Sequence, residues 1–234
     1  MIIGHIGARA GSKGVPNKNF RIMHGKHVID WSLDQLLDHA QIDAVVVSTD
    51  SEVMYEYGLK RGGLDIGLRP AELASDTAGK FHVWKHALAE VEKQTGPVTA
   101  FVDLDCTSPL RLPQDITGAI DLFKSAQPDM VLSCCVSRKN PYFNMLETGA
   151  DGSLHVSKPL PGHILSRQAA PMVYDHVGLV YVLNPDYLRS ANSLFEGHVI
   201  PFEVPESRSL DIDSPLDWEI VEFMLGRQIE QGLR

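Results

Sequence analysis

Cysteine is scarce in this chain, which has three among 234 residues. They stand at 106, 134 and 135, so they form no C-x-x-C motif, and an odd number with two adjacent members is a poor disulfide framework. No run reaches the roughly 18 apolar residues of a membrane helix, and the N-terminus opens on a strand-like Ile2-Ile3 without the cationic region of a signal peptide. We therefore expect a cytoplasmic protein that is neither secreted nor embedded in a membrane.

Positive charge is also in the minority. The chain has 30 acidic and 21 basic residues, which gives a formal net charge of -9 at pH 7. An acidic exterior disfavours general affinity for nucleic acid or anionic lipid, so any anion site must be local. The 44% hydrophobic content is that of an ordinary globular protein, and the length predicts a single α/β domain over 1–234.

Apolar runs typical of buried strands alternate with segments of helical periodicity. The predicted strands are 1–8, 44–48, 64–68, 98–104, 130–136, 177–183 and 199–204, and the predicted helices are 28–39, 52–61, 79–93, 113–126, 185–190 and 215–229. This order predicts a mainly parallel sheet with helices on both faces, which binds ligands at the carboxyl ends of its strands. The rhythm breaks over 137–171, where prolines and glycines indicate an insertion and 142–146 and 154–156 predict two paired short strands.

The first predicted strand runs directly into a loop rich in glycine and positive charge. Its glycines let backbone N–H groups approach phosphate oxygens, and its cations lie along the same turn. These residues are Gly7, Gly11, Gly14, Arg9, Lys13 and Lys18. The loop is not a P-loop, because Ser12 stands before the lysine and Gly14 follows it, and it lacks the G-x-G-x-x-G fingerprint. The loop predicts a triphosphate site, and the alternative is a solvated glycine turn.

A pair of acids stands near the other end of the chain. Asp211 and Asp213 are separated by one residue in an extended segment, so both carboxylates point to one side. Mg²⁺ prefers one or two carboxylates together with substrate phosphates and water, which makes this pair a candidate magnesium site. The alternative is that Asp213 or Ser214 only caps the last helix, with Pro215 at its first position, a role that suits Ser214 in any case.

Polar side chains follow three other predicted strands. Asp50 is placed either to reach a ligand or to cap the next helix, and capping is the favoured interpretation even though Ser51 offers a second cap. Arg69 either forms a structural fork with nearby carboxylates or holds a base carbonyl or a phosphate.

The third of these segments follows the most apolar strand. Asp105, Thr107 and Ser108 are delivered to the ligand edge of the sheet, although the same residues suit a self-satisfied turn pinned by Arg111. The histidines form no H-E-x-x-H motif, so zinc is not expected. A structural hydrogen bond is the favoured interpretation of the lone His176.

Together these segments resemble the acylneuraminate cytidylyltransferase family, the enzymes that make CMP-activated sialic acids and related nine-carbon 2-keto sugar acids. The motifs that carry the resemblance are Ala8-Arg-Ala-Gly-Ser-Lys-Gly-Val-Pro-Asn-Lys-Asn19, Val47-Ser-Thr-Asp50, Arg69-Pro-Ala-Glu-Leu-Ala-Ser-Asp76, Thr107-Ser-Pro-Leu-Arg111, Ser166-Arg-Gln168 and Ser209-Leu-Asp-Ile-Asp213. The resemblance implies a Rossmann-like nucleotidyltransferase fold of the GT-A-like type. It also implies a homodimer in which 137–171 is a dimerisation arm.

The implied reaction transfers CMP from CTP to the anomeric 2-hydroxyl of a sugar acid, with Mg²⁺ as cofactor and pyrophosphate as the second product. The implied catalytic residues are Arg9, Lys18 and Asp211, and the implied metal ligands are Asp211 and Asp213. The implied nucleotide-binding residues are Ala8, Gly11, Ser12, Lys13, Asn19, Arg69 and Asp76. The implied sugar-acid contacts are Asp105, Thr107, Ser108, Arg167, Gln168 and Tyr174, with Arg167 holding the acid group.

Two positions depart from the family pattern. Asp105 stands where relatives commonly have glutamine, and His176 stands where they have asparagine. An acid at 105 disfavours a bare substrate carboxylate and suits a hydroxyl, an amine or a metal ion. The alternatives are a cytidylyltransferase for a 3-deoxy-octulosonate-type acid, a nucleotidyltransferase that uses another base, and a nucleotide-binding protein without turnover.

Overall fold

The computed structural model of the protein describes residues 1–11, 14–75, 78–162, 164 and 166–234. The strands are β1 (Ile2–Gly7), β2 (Ile22–Met23), β3 (Lys26–His27), β4 (Ala44–Ser48), β5 (Ala100–Asp103), β6 (Met130–Val136), β7 (Leu146–Thr148), β8 (Leu154–Val156), β9 (Tyr174–Leu183) and β10 (Val199–Glu203). The α-helices are α1 (Asp30–Leu37), α2 (Glu52–Lys60), α3 (Lys80–Thr95), α4 (Pro113–Ala126), α5 (Pro185–Ser190) and α6 (Pro215–Glu230).

Within these ranges a central six-stranded sheet has the order β10-β6-β9-β5-β1-β4. Strand β1 pairs in parallel with β4 and β5, and β10 pairs in parallel with β6. Strand β9 is antiparallel to both of its neighbours, β5 and β6. It reverses because no crossover helix lies between β6 and β9 in the described chain, and a parallel connection needs such a crossover. The prediction of a mainly parallel α/β sheet is confirmed.

Helices cover both faces of the sheet because its strands are apolar on both sides. Along β4, Val45 and Val47 pack into one hydrophobic cluster with residues of α1 and α4, whereas Val46 packs into a second cluster with residues of α3 and α5. This alternation follows from the two-residue period of a strand. Among the described residues, no helix is both long enough and apolar enough to cross a membrane.

A third hydrophobic cluster lies beside the sheet and joins the two ends of the chain. It combines the loop after β1, the turn after β5 and the final helix through Val15, Met23, Val28, Trp31, Leu110, Ile212, Trp218, Val221 and Leu225. Helix α6 begins at a capping box in which Ser214 and Asp217 bond each other's backbone N–H groups, and Pro215 takes the first helical position. Capping by Ser214 is thereby confirmed.

The predicted strand at 64–68 is wrong. The Leu64 N–H donates to the Val45 carbonyl at 2.7 Å, but the chain then turns at Gly67, where φ is +72°. Asp65 accepts hydrogen bonds from the Tyr55 hydroxyl and the Gly67 N–H, so this stretch forms a turn against the edge of the sheet. A buried Ile66 had made the segment look like a strand.

The irregular segment after β6 contains the short antiparallel pair β7 and β8. The pairing of two short strands was predicted, but the first begins at Leu146 and ends at Thr148 instead of spanning 142–146. Large apolar side chains on and around this segment are exposed, namely Val136, Met145, Leu146, Leu154, Leu160, Met172 and Tyr174. The segment therefore presents an apolar surface that the rest of the described chain leaves open.

Candidate active site

Two adjoining cavities open at the carboxyl ends of β1 and β5. The first cavity has a volume of about 400 Å³, and its walls include Arg9, Lys18, Asn19, Asp105, Thr107 and Asp213. The second cavity has a volume of about 340 Å³, and its walls include His5, Arg69, Lys80, Trp84, Asp103 and Asp105. Gly7, Arg9 and Asp105 line both, so the two cavities share a boundary.

The glycine loop and the acidic pair meet at the first cavity. A Cβ added to Gly14 would lie 1.9 Å from the Asp213 carbonyl oxygen, so only glycine permits this approach. Lys18 Nζ donates to the Ile212 carbonyl oxygen and lies 3.2 Å from Asp213 Oδ1. The Ile212 N–H in turn donates to the Thr107 carbonyl at 3.0 Å. Three distant segments of the chain are thus bonded into one site.

The two acids of the predicted pair differ in their surroundings, and only Asp213 lines the first cavity, whereas Asp211 lines neither cavity. Ile212 is fully buried in the third cluster, so the side chains on either side of it leave that core. Asp211 is half-buried and accepts the Ile212 N–H at 2.9 Å, while the Asp213 side chain is 80% exposed.

The described residues include no group of three or more His, Cys, Asp and Glu suited to a metal. Asp213 in the wall of a cavity that Arg9 and Lys18 also line, with Asp211 two residues before it, nevertheless fits Mg²⁺, because this ion needs only one or two carboxylates and completes its shell with phosphate and water oxygens.

Asp50 shapes the glycine loop. Its Oδ1 accepts the Ala10 N–H at 2.8 Å, and helix α2 is capped by Ser51, whose Oγ accepts the Met54 N–H at 3.3 Å. The cap of helix α2 is therefore Ser51, and the prediction that Asp50 caps this helix is wrong. The physical reason is that Asp50 faces the neighbouring strand end, where the loop after β1 offers an unpaired N–H.

Asn19 and Arg69 are both buried at the cavity walls. Asn19 donates to the Arg9 carbonyl at 3.4 Å and accepts from the Cys106 thiol at 3.3 Å. Arg69 donates to the Ser48 hydroxyl at 3.1 Å and to the Ser48 carbonyl, and burial lowers its pKa. Both side chains are held in fixed positions, which suits groups that recognise a ligand.

The structure also reveals a chain of polar contacts that is buried at His5 and Asp103 and half-buried at Lys80 and Asp105, and sequence reasoning had singled out only Asp105 of the four. His5 and Asp103 are directly opposite each other on β1 and β5, with His5 Nδ1 2.5 Å from Asp103 Oδ1. Lys80 Nζ lies 2.9 Å from Asp103 Oδ2 and 2.5 Å from Asp105 Oδ1, and 4.1 Å from the centre of the Tyr181 ring. We call these four residues, His5, Asp103, Lys80 and Asp105, the charge chain.

The two acids of the charge chain titrate in opposite directions. Burial tends to raise both pKa values, but Lys80 and His5 together lower the pKa of Asp103 to about 2. The pKa of Asp105 rises to about 6, because burial and the nearby charges of Asp103 and Asp211 outweigh the attraction of Lys80. Burial lowers the pKa of His5, so its ring is neutral at pH 7.

Part of the charge chain had a signal in the sequence. His5 and Asp103 interrupt otherwise apolar buried strands, and a polar residue in such a strand needs a partner. Lys80 had no such signal, since a lysine in a helix is ordinary. His176 has the structural hydrogen bond predicted for it, with Nε2 2.8 Å from the Tyr181 hydroxyl.

Several predicted site residues are not brought to the two cavities. Ser108 is fully buried, its hydroxyl has no hydrogen-bond partner among the described residues, and it lines neither cavity. Arg167, Gln168 and Tyr174 are exposed on the segment that leads into β9.

The loop positions differ in what the structure describes. Ala8 is buried with its N–H on the Ser48 carbonyl at 3.0 Å, whereas Gly11 is exposed. The predicted Ser12, Lys13 and Asp76 lie outside the described residues.

A mainly parallel α/β sheet whose first loop brings glycines and cations to Asp213 fits a nucleotidyltransferase. The family model described as Cytidylyltransferase matches residues 3–204. The chain therefore belongs to the cytidylyltransferase family, as its sequence motifs indicated.

Curated relatives agree with this assignment. The chain is 38% identical to "Post-translational flagellin modification protein B" of Campylobacter coli and 35% identical to "CMP-N,N'-diacetyllegionaminic acid synthase" of Campylobacter jejuni, in each case over 96% of this chain and 94% of the relative. It is 30% identical to an N-acylneuraminate cytidylyltransferase of Escherichia coli, over 94% of this chain and 51% of that protein. These matches confirm the resemblance to the acylneuraminate cytidylyltransferases.

Solved structures show the same fold. A CMP:2-keto-3-deoxy-manno-octonic acid synthetase complexed with CTP superposes with a TM-score of 0.70 at 18% identity, over 97% of this chain and 99% of the other. A 4-diphosphocytidyl-2C-methyl-D-erythritol synthase of Anaerococcus prevotii superposes with a TM-score of 0.62 at 14% identity, over 97% and 98%. The Rossmann-like nucleotidyltransferase fold is confirmed.

Gly14→Ala tests the contact between the glycine loop and the acidic segment. The added methyl group would overlap the Asp213 carbonyl, so the loop must shift, and overpacking of this kind costs about 1 to 3 kcal/mol. We expect a lower melting temperature without any ligand. Gly11→Ala is the matched control, because its added Cβ meets nothing within 4 Å. Equal melting temperatures for the two variants would show that the loop does not rest on the acidic segment.

Asp105→Asn tests the raised pKa. Because the pKa of Asp105 rises from 3.8 to about 6 on folding, its ionised form lowers stability above pH 6, and this cost disappears as the pH falls toward 3.8. The asparagine variant should therefore gain melting temperature over the wild type at about pH 8 and lose that advantage at about pH 4.5. Exposed Asp121→Asn is the control. An advantage that grows on acidification would contradict the assigned shift.

Proposed function

We propose that the protein transfers CMP from CTP to the anomeric 2-hydroxyl of a nine-carbon 2-keto sugar acid and releases pyrophosphate. The observation that carries this proposal is the direct contact of Lys18 with the Ile212 carbonyl and Asp213, which joins the glycine loop to the acidic segment at a cavity lined by Arg9, Lys18 and Asp213. The names of the relatives support the substrate class, since they include a CMP-diacetyllegionaminic acid synthase and N-acylneuraminate cytidylyltransferases.

The triphosphate would lie along the glycine loop. Arg9 and Lys18 reach the first cavity from this loop, so their charges offset those of the phosphate oxygens. The Asp50 contact holds the backbone of the loop in place before the nucleotide arrives. Asn19 and Arg69, which are fixed at the cavity walls, would then bind the cytidine end.

Asp211 and Asp213 would hold Mg²⁺, since carboxylate oxygens fit this ion. When bound, Mg²⁺ would withdraw charge from the phosphate oxygens and lower the pKa of a hydroxyl beside it. Lys18 contacts Asp213, and its positive charge would offset the repulsion between the two carboxylates.

In the reaction the sugar 2-hydroxyl oxygen forms a bond to the α-phosphorus of CTP, and the bond from that phosphorus to the pyrophosphate oxygen breaks. Asp211 would accept the hydroxyl proton, and Arg9 and Lys18 would stabilise the charge that grows on the departing pyrophosphate. The side chains chiefly position the reactants and offset charge, as in other phosphoryl transfers.

The sugar acid would bind on the side of the acidic pair. Thr107 and Asp105 line the first cavity there, and Arg167, which is exposed and lines neither cavity, would supply a cation for the substrate carboxylate, with Gln168 and Tyr174 near it in the chain. A 3-deoxy-octulosonate-type acid is the second candidate, because the CMP:2-keto-3-deoxy-manno-octonic acid synthetase has the same fold. Pyrophosphate release from CTP with sialic, legionaminic, pseudaminic and octulosonic acids in turn would distinguish these substrates. Binding of CTP with no release for any acid would favour a non-catalytic protein.

Asp211→Ala tests the chemical role of the acidic pair. Loss of one preorganised group at a reacting centre commonly costs about 3 kcal/mol, so we expect turnover to fall about a hundredfold or more. The fold should survive, because the Asp211 side chain is not part of the hydrophobic clusters. Pyrophosphate release and circular dichroism provide the two measurements, and exposed Asp121→Ala is the control. Turnover within a few fold of wild type would remove Asp211 from the mechanism.

We further propose a homodimer in which the 137–171 segment is the arm that contacts the second subunit. The exposed apolar side chains on this segment support it, because a surface of this kind marks an interaction site. Leu154→Asp should give monomers in analytical ultracentrifugation. Val53→Asp is a matched control, since Val53 and Leu154 are both 67% exposed. A wild-type monomer at micromolar concentration would refute the arm.

A further inference from the structure

The segment that carries the acidic pair is anchored outside the two cavities. After β10 the chain forms a short 3₁₀ helix, Glu206–Arg208, in which the Arg208 N–H donates to the Pro205 carbonyl at 2.9 Å. Asp211 follows shortly after this turn in the sequence. Arg208 lines neither the first nor the second cavity, so any effect that it has on the site must pass through the backbone between it and the acids.

Arg208 forms a bidentate ion pair with Asp115 of helix α4. Its Nε donates to Asp115 Oδ2 at 2.9 Å, and its Nη2 donates to Oδ1 at 2.6 Å. The Arg208 side chain is 20% exposed and the Asp115 side chain 3%. Two parallel N–H···O bonds fix both the distance and the direction between the groups. Because the desolvation of a buried pair offsets much of its attraction, what the pair chiefly supplies is a defined position for the 3₁₀ turn.

Asp115 also holds the turn after β5. Its Oδ2 accepts the Leu112 N–H at 2.9 Å, where that turn passes into α4. The same turn carries Thr107, which lines the first cavity and whose carbonyl accepts the Ile212 N–H at 3.0 Å. One buried carboxylate is therefore bonded both to the turn after β5 and to the segment that leads into the acidic pair.

We propose that Arg208, bound to Asp115, is a positioning residue that fixes the acidic pair for the divalent cation of the reaction. This inference rests on the proposed function, in which Asp211 and Asp213 hold Mg²⁺. Asp211 lies between two anchored points, the Arg208 side chain and the Ile212 N–H. Loss of the Arg208 contact would release the chain on one side of Asp211.

A direct role for Arg208 as a cation for the phosphates fits the structure less well. Arg9 and Lys18 line the first cavity, whereas Arg208 is paired with Asp115 and lines a separate cavity of about 220 Å³ beside α6. Its contribution is therefore to geometry. Residues that orient metal ligands from outside the coordination shell typically change metal affinity or activity about 10- to 100-fold when they are replaced.

The first experiment measures amide hydrogen exchange over 209–214, without nucleotide or metal, in the wild type and in Arg208→Met. Hydrogen bonds to charged groups contribute enough that their loss should speed exchange in this segment about tenfold or more. Glu206→Gln is the matched control in the same turn, because the Glu206 ion pair with Arg138 is exposed on both sides and contributes little. Exchange in Arg208→Met that equals the wild type, or that rises evenly along the whole chain, would overturn the inference.

The second experiment titrates Mg²⁺ against pyrophosphate release from CTP with the sugar acid that the wild type uses. In Arg208→Met the Mg²⁺ concentration for half-maximal release should rise about tenfold or more, and Glu206→Gln should keep the wild-type value. Arg208→Lys should lie between the two. It keeps the charge beside Asp115 but cannot form two parallel bonds, so it decides the question where the Met variant does not fold. A lower melting temperature with an unchanged Mg²⁺ requirement would show a purely structural arginine and overturn the proposal.

The proposed function and the inference fail in different ways. Wild-type protein that releases no pyrophosphate from CTP with any sugar acid would refute the proposed function. Wild-type protein with Mg²⁺-dependent release, together with folded Arg208 variants that have the same Mg²⁺ requirement, would leave the function in place and refute the positioning role.

Discussion

The close approach of the glycine loop to the Asp213 backbone is the contact on which the site depends. The Lys18 and Ile212 of this contact are 194 residues apart in the chain, so no local preference brings them together. Burial does so, because Val15 and Ile212 pack into the same hydrophobic cluster with the final helix. The cations and the acids can then occupy one cavity, since the apolar residues beside them have already fixed the distance between the two segments.

Most of the fold could be predicted because its determinants are local. Strands such as β4 and helices such as α4 have apolar patterns of one clear period, and both were predicted with the bounds that the structure shows. The direction of β9 could not be predicted, because it depends on the path of the irregular segment before it. The strand predicted at 64–68 is wrong for a related reason. Ile66 is buried at the edge of the sheet, so the sequence around it resembles a strand, but the segment lacks the hydrogen bonds of one.

The candidate site was predictable where strand ends carry their own signals. Arg9, Lys18, Asn19 and Asp213 were expected at one edge of the sheet, and all four line the first cavity. The charge chain was not expected, because its members come from separate parts of the chain and come into contact only in the folded protein. Ser108 shows the opposite limit. Its position in the chain suggested a ligand contact, but Ser108 is fully buried, whereas the neighbouring Thr107 lines the first cavity.

The charge chain also explains how an acid is tolerated at position 105, where relatives commonly have a neutral amide. Burial and the nearby charges of Asp103 and Asp211 disfavour an ionised carboxylate there, as the raised pKa of Asp105 shows. Lys80 offsets this charge, and Asp103 and the Tyr181 ring hold Lys80 in place. An acid at position 105 therefore requires a cationic partner and residues that hold this partner in place. It also requires open space beside its carboxylate, which Gly178 provides. Four separate positions, namely Lys80, Asp103, Tyr181 and Gly178, must therefore agree before an acid is accommodated at position 105.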